Sequence, residues 1–337
     1  MKLVGIGDLF IPARYIEKGF APLREKGHEL YTLDWPLESF QALQAINLDI
    51  EQHGCEAVPA PECAFEACRD AEVIITQFCP VNSALIEACP GLRAVGVLRG
   101  GTENVNAEAL KARGIELFNS PGRNAESVAD FTVGMLICET RNIARGFLGL
   151  KTGKWIREYP NSGAIPDLCG HTLGLIGCGA IGQKVARKLS GFDMRVLGFD
   201  PYANAEACAA VGIEIVELET LLRQSDYVSV HARLTAENRG MLGKDEFAIM
   251  KDGAYLVNTS RAGLIDENAL CEALASGKLA GAALDVFEHE PPAPDDPLLS
   301  LPNVTLTPHM AGGSNDAFFN TPRLLLGRME GWFDAHT

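Results

Sequence analysis

The chain has 337 residues, more than one hydrophobic core ordinarily supports, so two domains are expected. Hydrophobic residues make up 47% of it and charged residues 22%, the make-up of a soluble globular protein. Its 44 acidic residues against 29 Lys and Arg leave a formal charge of −15, which repels phosphate backbones and anionic lipids and argues against nucleic acid or a membrane as partner.

The N-terminus, MKLVGIGDLF, lacks the apolar core of a secretion signal and reads as a first strand. No run of about 18 apolar residues follows, so no membrane span is expected. Short apolar runs then alternate with helical patterns. A first series comprises Lys2–Gly7, Glu29–Leu33, Val73–Thr76 and Arg93–Leu98. Gly5-Ile6-Gly7 after the first run imitates a dinucleotide-binding turn, with Asp34 ending the next run. Phe10, however, stands where a third glycine would let helix and strand approach, so this unit is read as a related fold without a dinucleotide.

The turn cluster Asn119-Ser120-Pro121-Gly122 marks a boundary. Val128, Phe131, Met135, Leu136 and Ile143 then recur at helical spacing and predict one long helix over 126–145. A loop-rich stretch follows around Tyr159-Pro160-Asn161-Ser162-Gly163. The second series of strands is Leu173–Gly177, Arg195–Asp200, Tyr227–His231, Ala254–Asn258, Ala280–Asp285 and Val304–Thr307, and the tail from Asn315 to Phe333 again has a helical pattern. Apolar strands alternating with helices imply an α/β fold with two parallel sheets, each covered on both faces. The ten cysteines form no CxxC pair and no His/Cys metal spacing. They are read as reduced thiols of a cytoplasmic protein, and no metal is expected.

Residues 173–182, LGLIGCGAIG, carry the pattern GxGxxG between a strand and a helix. Gly177 permits the tight turn, Gly179 lets a pyrophosphate approach the backbone, and Gly182 lets the helix pack on the strand. The helix N-terminus then offers free N–H groups to phosphate. Asp200 ends the next strand 18 residues beyond Gly182, where an acid can bind ribose hydroxyls and repel a 2′-phosphate. This favours NAD over NADP; the plainer reading is a surface Asp in an Asp-Pro turn.

Three later strand ends carry unusual polar residues. AYLVNTSR delivers Arg261, AALDVFEHEP delivers Asp285 and Glu290, and VTLTPH delivers His309. In open α/β sheets ligands bind beyond the carboxyl ends of strands. Reducing a 2-keto acid needs a cation for the carboxylate and carbonyl, an acid for the nascent alkoxide, and a carboxylate to orient that acid. Arg261, His309 and Glu290 fit these needs. Against this, Arg261 alone suits a strand cap or surface pair, Glu290 sits in a Pro-rich loop where most acids are solvated, and His289 competes with His309 for the carboxylate.

From about Gly91 to Gly313 the chain resembles the D-isomer-specific 2-hydroxyacid dehydrogenase family. LGLIGCGAIG carries the resemblance, with FDPY at 199–202, LLRQSDYVSVH at 221–231 and MKDGAYLVNTSRAGLIDENAL at 250–270. SGKLAGAALDVFEHEPP at 276–292 and NVTLTPHMAGG at 303–313 complete it, in the family's order and spacing. The resemblance implies two Rossmann-like domains: a flavodoxin-like substrate domain over 1–118, completed by 311–337, and an NAD-binding Rossmann domain over 119–310, with the active site in the cleft. It implies that Arg261 binds the substrate carboxylate and that Glu290 and His309 form the acid/base pair. Gly177, Gly179, Ala180, Ile181, Gly182, Asp200, His231, Thr259 and Asp285 would hold NAD, with Asp285 near the nicotinamide carboxamide. Arg99, Gly100 and Gly101, within Leu98–Thr102, would belong to the loop that grips the substrate. It also implies a homodimer whose main contact is the helix 126–145.

Some residues depart from the family pattern. Ala262 stands where Gly usually follows the arginine, and Ala232-Arg233 replaces a common Val-Pro. Arg99 has two readings: a contact to a polar or anionic substrate tail, or an ion pair. Phosphoglycerate dehydrogenases carry arginines after the third strand, whereas Thr76–Asn82 here reads TQFCPVN, without a cation. Arg99 and Gln77 suit a polyhydroxylated sugar acid; hydroxypyruvate, glyoxylate and 3-phosphoglycerate remain alternatives. The resemblance disfavours formate oxidation, because those relatives carry an amide at the Glu290 position, and leaves phosphite oxidation open. A rival reading is an NAD-sensing, corepressor-like binding protein, since such relatives keep the same three residues.

Overall fold

The computed structural model describes residues 1–336. By contact the chain divides into two units, residues 1–124 with the tail from Ser314, and Ala125–Gly313.

The first unit is built on five parallel strands, β1 (Lys2–Gly7), β2 (Glu29–Asp34), β3 (Val73–Thr76), β4 (Ala94–Val97) and β5 (Glu116–Asn119), in the order β2-β1-β3-β4-β5. This is the flavodoxin-like order, with its reversal between β1 and β3. The apolar runs arise because central strands bury both faces. Val4, Ile74 and Val95 pack on one side, and Leu3, Val73 and Ala94 on the other. Each Val, Leu or Ile among them contributes about 1.5–3 kcal/mol on burial. The C-terminal helix Asn315–His336 covers the second face, burying Leu325, Met329 and Phe333 there. It lies against the helix Ala13–Glu25 at Gly19, where a Cβ would come within 2.5 Å of Pro322.

The second unit has seven parallel strands: β6 (Thr172–Ile176), β7 (Arg195–Phe199), β8 (Ile213–Ile215), β9 (Tyr227–Val230), β10 (Ala254–Asn258), β11 (Leu279–Leu284) and β12 (Val304–Leu306). Their order, β12-β11-β10-β9-β6-β7-β8, is that of a doubly wound Rossmann sheet reversing at β6/β9.

By contact the division falls after Asn124 and before Ser314, a few residues beyond 119 and 311. Ser120 stays with the first sheet because its N–H and hydroxyl bond to Arg99 and Val97 carbonyls, and Ala311 stays with the second because its N–H bonds to Asp285. The helix expected over 126–145 is two, Ala125–Thr140 and Ile143–Lys151. Asn142 between them adopts φ +56°, and the turn brings Arg145 back onto buried Glu139 in a two-pronged ion pair. The sequence reading passed over β5 and β8, both at sheet edges.

Candidate active site

In the second unit the chain leaves β6 at Gly177, whose φ is +97°. A Cβ there would lie 2.5 Å from the Ala232 nitrogen, so only glycine fits. At Gly182, on the helix Ala180–Leu189, a Cβ would lie 2.3 Å from the Gly177 carbonyl oxygen, which is why helix and turn can touch. At Gly179 a Cβ would meet nothing within 4 Å, and no side chain caps the helix that begins at Ala180 and Ile181. This is an open approach to a positive helix end, the shape a pyrophosphate requires.

Asp200 follows β7 and closes on the same turn, accepting the Cys178 N–H at 2.9 Å and the Tyr202 N–H at 2.9 Å. Each carboxylate oxygen keeps a lone pair for a ribose hydroxyl. Pro-Tyr-Ala-Asn follow it, with no cation to balance a 2′-phosphate. These residues fit NAD. His231 follows β9 next to the turn; its Nε2 is 2.9 Å from the Ser229 hydroxyl, and its buried Nδ1 has no partner. Burial pushes this imidazole down to about 4, so it is neutral near pH 7. Thr259, beyond β10, meets the Thr132 hydroxyl at 2.8 Å, and Thr132 donates to the Val128 carbonyl at 2.7 Å. The Thr259 oxygen is thereby tied to the helix Ala125–Thr140.

The C-terminal ends of β10, β11 and β12 lie side by side, with Asn258 paired to Leu284 and Leu284 to Leu306. Arg261 emerges exposed from the first, its turn shaped by the Asn258 side chain, which bonds Ser260 and the Arg261 carbonyl. Its Nη1 donates to the Ser260 carbonyl at 2.7 Å. Past β11 and β12, Glu290 Oε2 and His309 Nδ1 meet at 2.7 Å, and Glu290 Oε1 accepts the Phe287 N–H at 3.1 Å. His309 is therefore held through Nδ1, with Nε2 left for a ligand. His289, the competing histidine, is exposed beside Glu267 and does not bond Glu290.

Asp285 is fully buried and accepts from the Thr307 hydroxyl at 2.6 Å, the Met310 N–H at 3.0 Å and the Ala311 N–H at 2.8 Å. The geometry makes it the clamp of the segment that carries His309, whose φ of +48° is held by bonds on both sides.

In the first unit, Arg99 resolves to the ion-pair reading. Its Nη2 lies 2.7 Å from Glu51 and 3.3 Å from Glu103, and its Nη1 donates to Asn47 at 2.6 Å. Both of its terminal nitrogens are thus engaged inside the unit. Gly100 is exposed, and its carbonyl accepts from Asn119 at 2.6 Å. At Gly101 a Cβ would lie 2.1 Å from a Glu103 carboxylate oxygen.

Sequence reading did not single out Asp8 or Arg123. Asp8 follows β1 and is buried, with Oδ1 accepting the Phe10 and Ile11 N–H groups at 2.9 Å and Oδ2 unpartnered. Both amide atoms of buried Gln77, after β3, and Nη1 of Arg123, after β5, are also unpartnered. The signal that could have found Asp8 is the one that found Arg261 and Asp285, a polar residue at the end of an apolar strand.

A doubly wound sheet with this turn and this acid defines an NAD-binding unit, and the Glu-His pair beside it defines a candidate proton-transfer centre. The sequence model of the "D-isomer specific 2-hydroxyacid dehydrogenase, NAD binding domain" matches residues 133–311. Glyoxylate reductase from Korarchaeum cryptofilum is 40% identical over 263 residues, covering 77% of this chain and 79% of that protein. D-3-phosphoglycerate dehydrogenase from Archaeoglobus fulgidus is 38% identical over 253 residues, covering 75% of this chain but 47% of that protein, so the chain spans about half the length of that relative. A D-lactate dehydrogenase from Treponema pallidum superposes with a TM-score of 0.78 at 25% identity, covering 99% of this chain and 97% of that one. The chain belongs to the D-isomer specific 2-hydroxyacid dehydrogenase family.

Proposed function

We propose that the protein interconverts a D-2-hydroxy acid and its 2-keto acid with NAD. The observation that carries this reading is the 2.7 Å Glu290–His309 pair on the same sheet edge as exposed Arg261. NAD supplies or accepts the hydride when bound. Arg261 binds the substrate carboxylate through its planar fork and polarises the C2 carbonyl. His309 Nε2 gives a proton to the C2 oxygen in reduction and takes it back in oxidation. Glu290 holds the ring through Nδ1 and favours the imidazolium. Gly177, Gly179, Ala180, Ile181 and Gly182 hold the pyrophosphate, Asp200 the ribose, His231 and Thr259 the remainder of the cofactor, while Asp285 keeps His309 in register.

NADH oxidation should therefore proceed with members of a panel containing glyoxylate, hydroxypyruvate, 3-phosphohydroxypyruvate and 2-keto sugar acids. His309→Ala should lower kcat/KM at least about a hundredfold. Equal, negligible turnover by both proteins would point to an NAD-sensing role instead.

The functional form is a homodimer, and the contact lies C-terminal to the helix first expected to make it. Phe147, Leu148, Leu150 and Trp155 are exposed, Trp155 by 81%, on the helix Ile143–Lys151 and the segment after it. Exposed large apolar side chains gathered in one short stretch suit an association surface, and a second copy is the partner that fits a symmetric enzyme. The thiols all stand unpaired, most of them shielded from solvent, which suits work in the reducing cytoplasm. No described helix is long and apolar enough to cross a membrane.

A further inference from the structure

We infer that Glu139 and Arg145 are positioning residues for His309, acting through the Thr305 hydroxyl and the Pro302 carbonyl on the strand that leads to it. The inference rests on the dehydrogenase reading above and adds a second clamp to the one Asp285 provides.

Topology creates the need for a clamp. β12 is three residues long and lies at the edge of its sheet, so its ladder bonds run to β11 alone. A short strand paired on one side is free to shift along its open side. His309 stands three residues past the end of this strand. A general acid must sit within hydrogen-bond reach of the oxygen it protonates, so any slip of β12 passes to the imidazole.

The helix Ala125–Thr140 and the turn after it supply what the sheet edge lacks. Glu139 Oε2 accepts the Thr305 hydroxyl at 2.5 Å. Thr307, two residues on, faces the same side of the strand; its hydroxyl lies 3.9 Å from the Met135 sulfur, one turn back along the helix. The same hydroxyl donates to Asp285, and the Thr307 carbonyl accepts the His309 N–H at 3.0 Å. Arg145 closes the arrangement. Its Nε donates to the Pro302 carbonyl at 2.6 Å, and its Nη2 donates to the two Glu139 oxygens at 2.8 and 2.9 Å. The strand is thus gripped before its start at Pro302, in its middle at Thr305 and past its end at Thr307.

Burial and fit show that the slot is built for this pair. Glu139 and Thr305 are both buried. Gly281 on β11 leaves the room, since a Cβ there would lie 2.1 Å from Glu139 Oε1. A buried ion pair is a poor way to gain stability, and apolar side chains of similar volume would hold helix to sheet at least as well. What the pair adds is direction: bonds to one hydroxyl and one carbonyl of a single strand.

Single-turnover oxidation of NADH by the full chain tests this, with the keto acid of the panel that wild type turns over best. Thr305→Val removes the hydroxyl, keeps the branched shape and leaves Arg145 on Glu139. It should slow the turnover at least about fivefold, with NADH affinity by fluorescence titration within about twofold of wild type. Thr305→Ser keeps the hydroxyl and should lose less than about threefold. In a His309→Ala background, Thr305→Val should change the rate less than about twofold, because its effect passes through the imidazole. A smaller loss in Thr305→Val, or an equal loss with and without His309, overturns the inference and leaves the dehydrogenase reading standing. If Thr305→Val does not fold, Glu139→Gln fills the same slot without the charge and takes its place in the cycle, under the same thresholds. If wild type turns over no keto acid, the dehydrogenase reading falls by itself and hydrogen exchange decides the positioning. Faster exchange of amides 309–311 in Thr305→Val, with 173–182 unchanged, supports it, and equal exchange overturns it.

Discussion

Asp285 and Glu290 are two carboxylates on one loop, put to different uses by their surroundings. Asp285 is buried and spends both oxygens on the 307–311 segment, whereas Glu290 is half exposed and turns one oxygen to the His309 ring. Asp8 is a third case, an acid whose burial leaves one oxygen unsatisfied. Its carboxyl titrates near its ordinary 3.8 when unfolded and at about 6 when folded. Between those values the native state holds more protons than the unfolded one, so the protein loses stability as pH rises from about 4 to 6 and does not regain it above. Asp8→Asn keeps an oxygen for the Phe10 and Ile11 N–H groups and has no charge to bury. Its melting temperature, measured by differential scanning fluorimetry without ligand, should exceed wild type by several degrees at pH 7 and match it at pH 4. A gain equal at both pH values would remove the buried charge as its cause. Arg261, Glu290 and His309 were legible because each stands at or just past the end of an apolar strand and their types complete one reaction. The burial and the missing partner atoms of Asp8 and Arg123 were not, because these are properties of the folded chain. The ion pair of Arg99 was not legible either, because Glu51 lies 48 residues away in sequence.

At the scale of elements, the strands that cross the middle of each sheet were read within a residue or two, since burial on both faces leaves continuous apolar runs. The edge strand β8, three residues long with two exposed, leaves no such run, and β5 is exposed or half-buried throughout. The break after Thr140 was illegible because Arg141-Asn142 carries neither Gly nor Pro, and Asn takes the left-handed conformation without advertising it. The glycine turn was fully legible, and its glycines should separate by experiment. Gly182→Ala puts a methyl 2.3 Å from the Gly177 carbonyl oxygen and should cost about 1–3 kcal/mol in denaturant unfolding. Gly179→Ala meets no neighbour and should fold as wild type, yet bind NADH at least about tenfold more weakly by fluorescence titration, because the methyl occupies the phosphate approach. Unchanged NADH affinity in Gly179→Ala would mean that the cofactor does not use this turn.

For the whole molecule, self-association and chemistry are the properties at stake. Replacing Phe147 and Leu148 with Glu places two charges in the exposed apolar stretch and should convert a dimer to a monomer by light scattering, with the melting transition of each chain retained. A wild-type monomer at micromolar concentration would contradict the assigned surface. The chemistry is tested most directly by following the hydride itself. NADH carrying deuterium at the transferable C4 position should be consumed with a 2-keto acid by wild type, and nuclear magnetic resonance of the product should find that deuterium on C2 of the D-2-hydroxy acid, with the C2 oxygen protonated from solvent. Deuterium retained in the cofactor, or delivered to the L-isomer, would contradict the account.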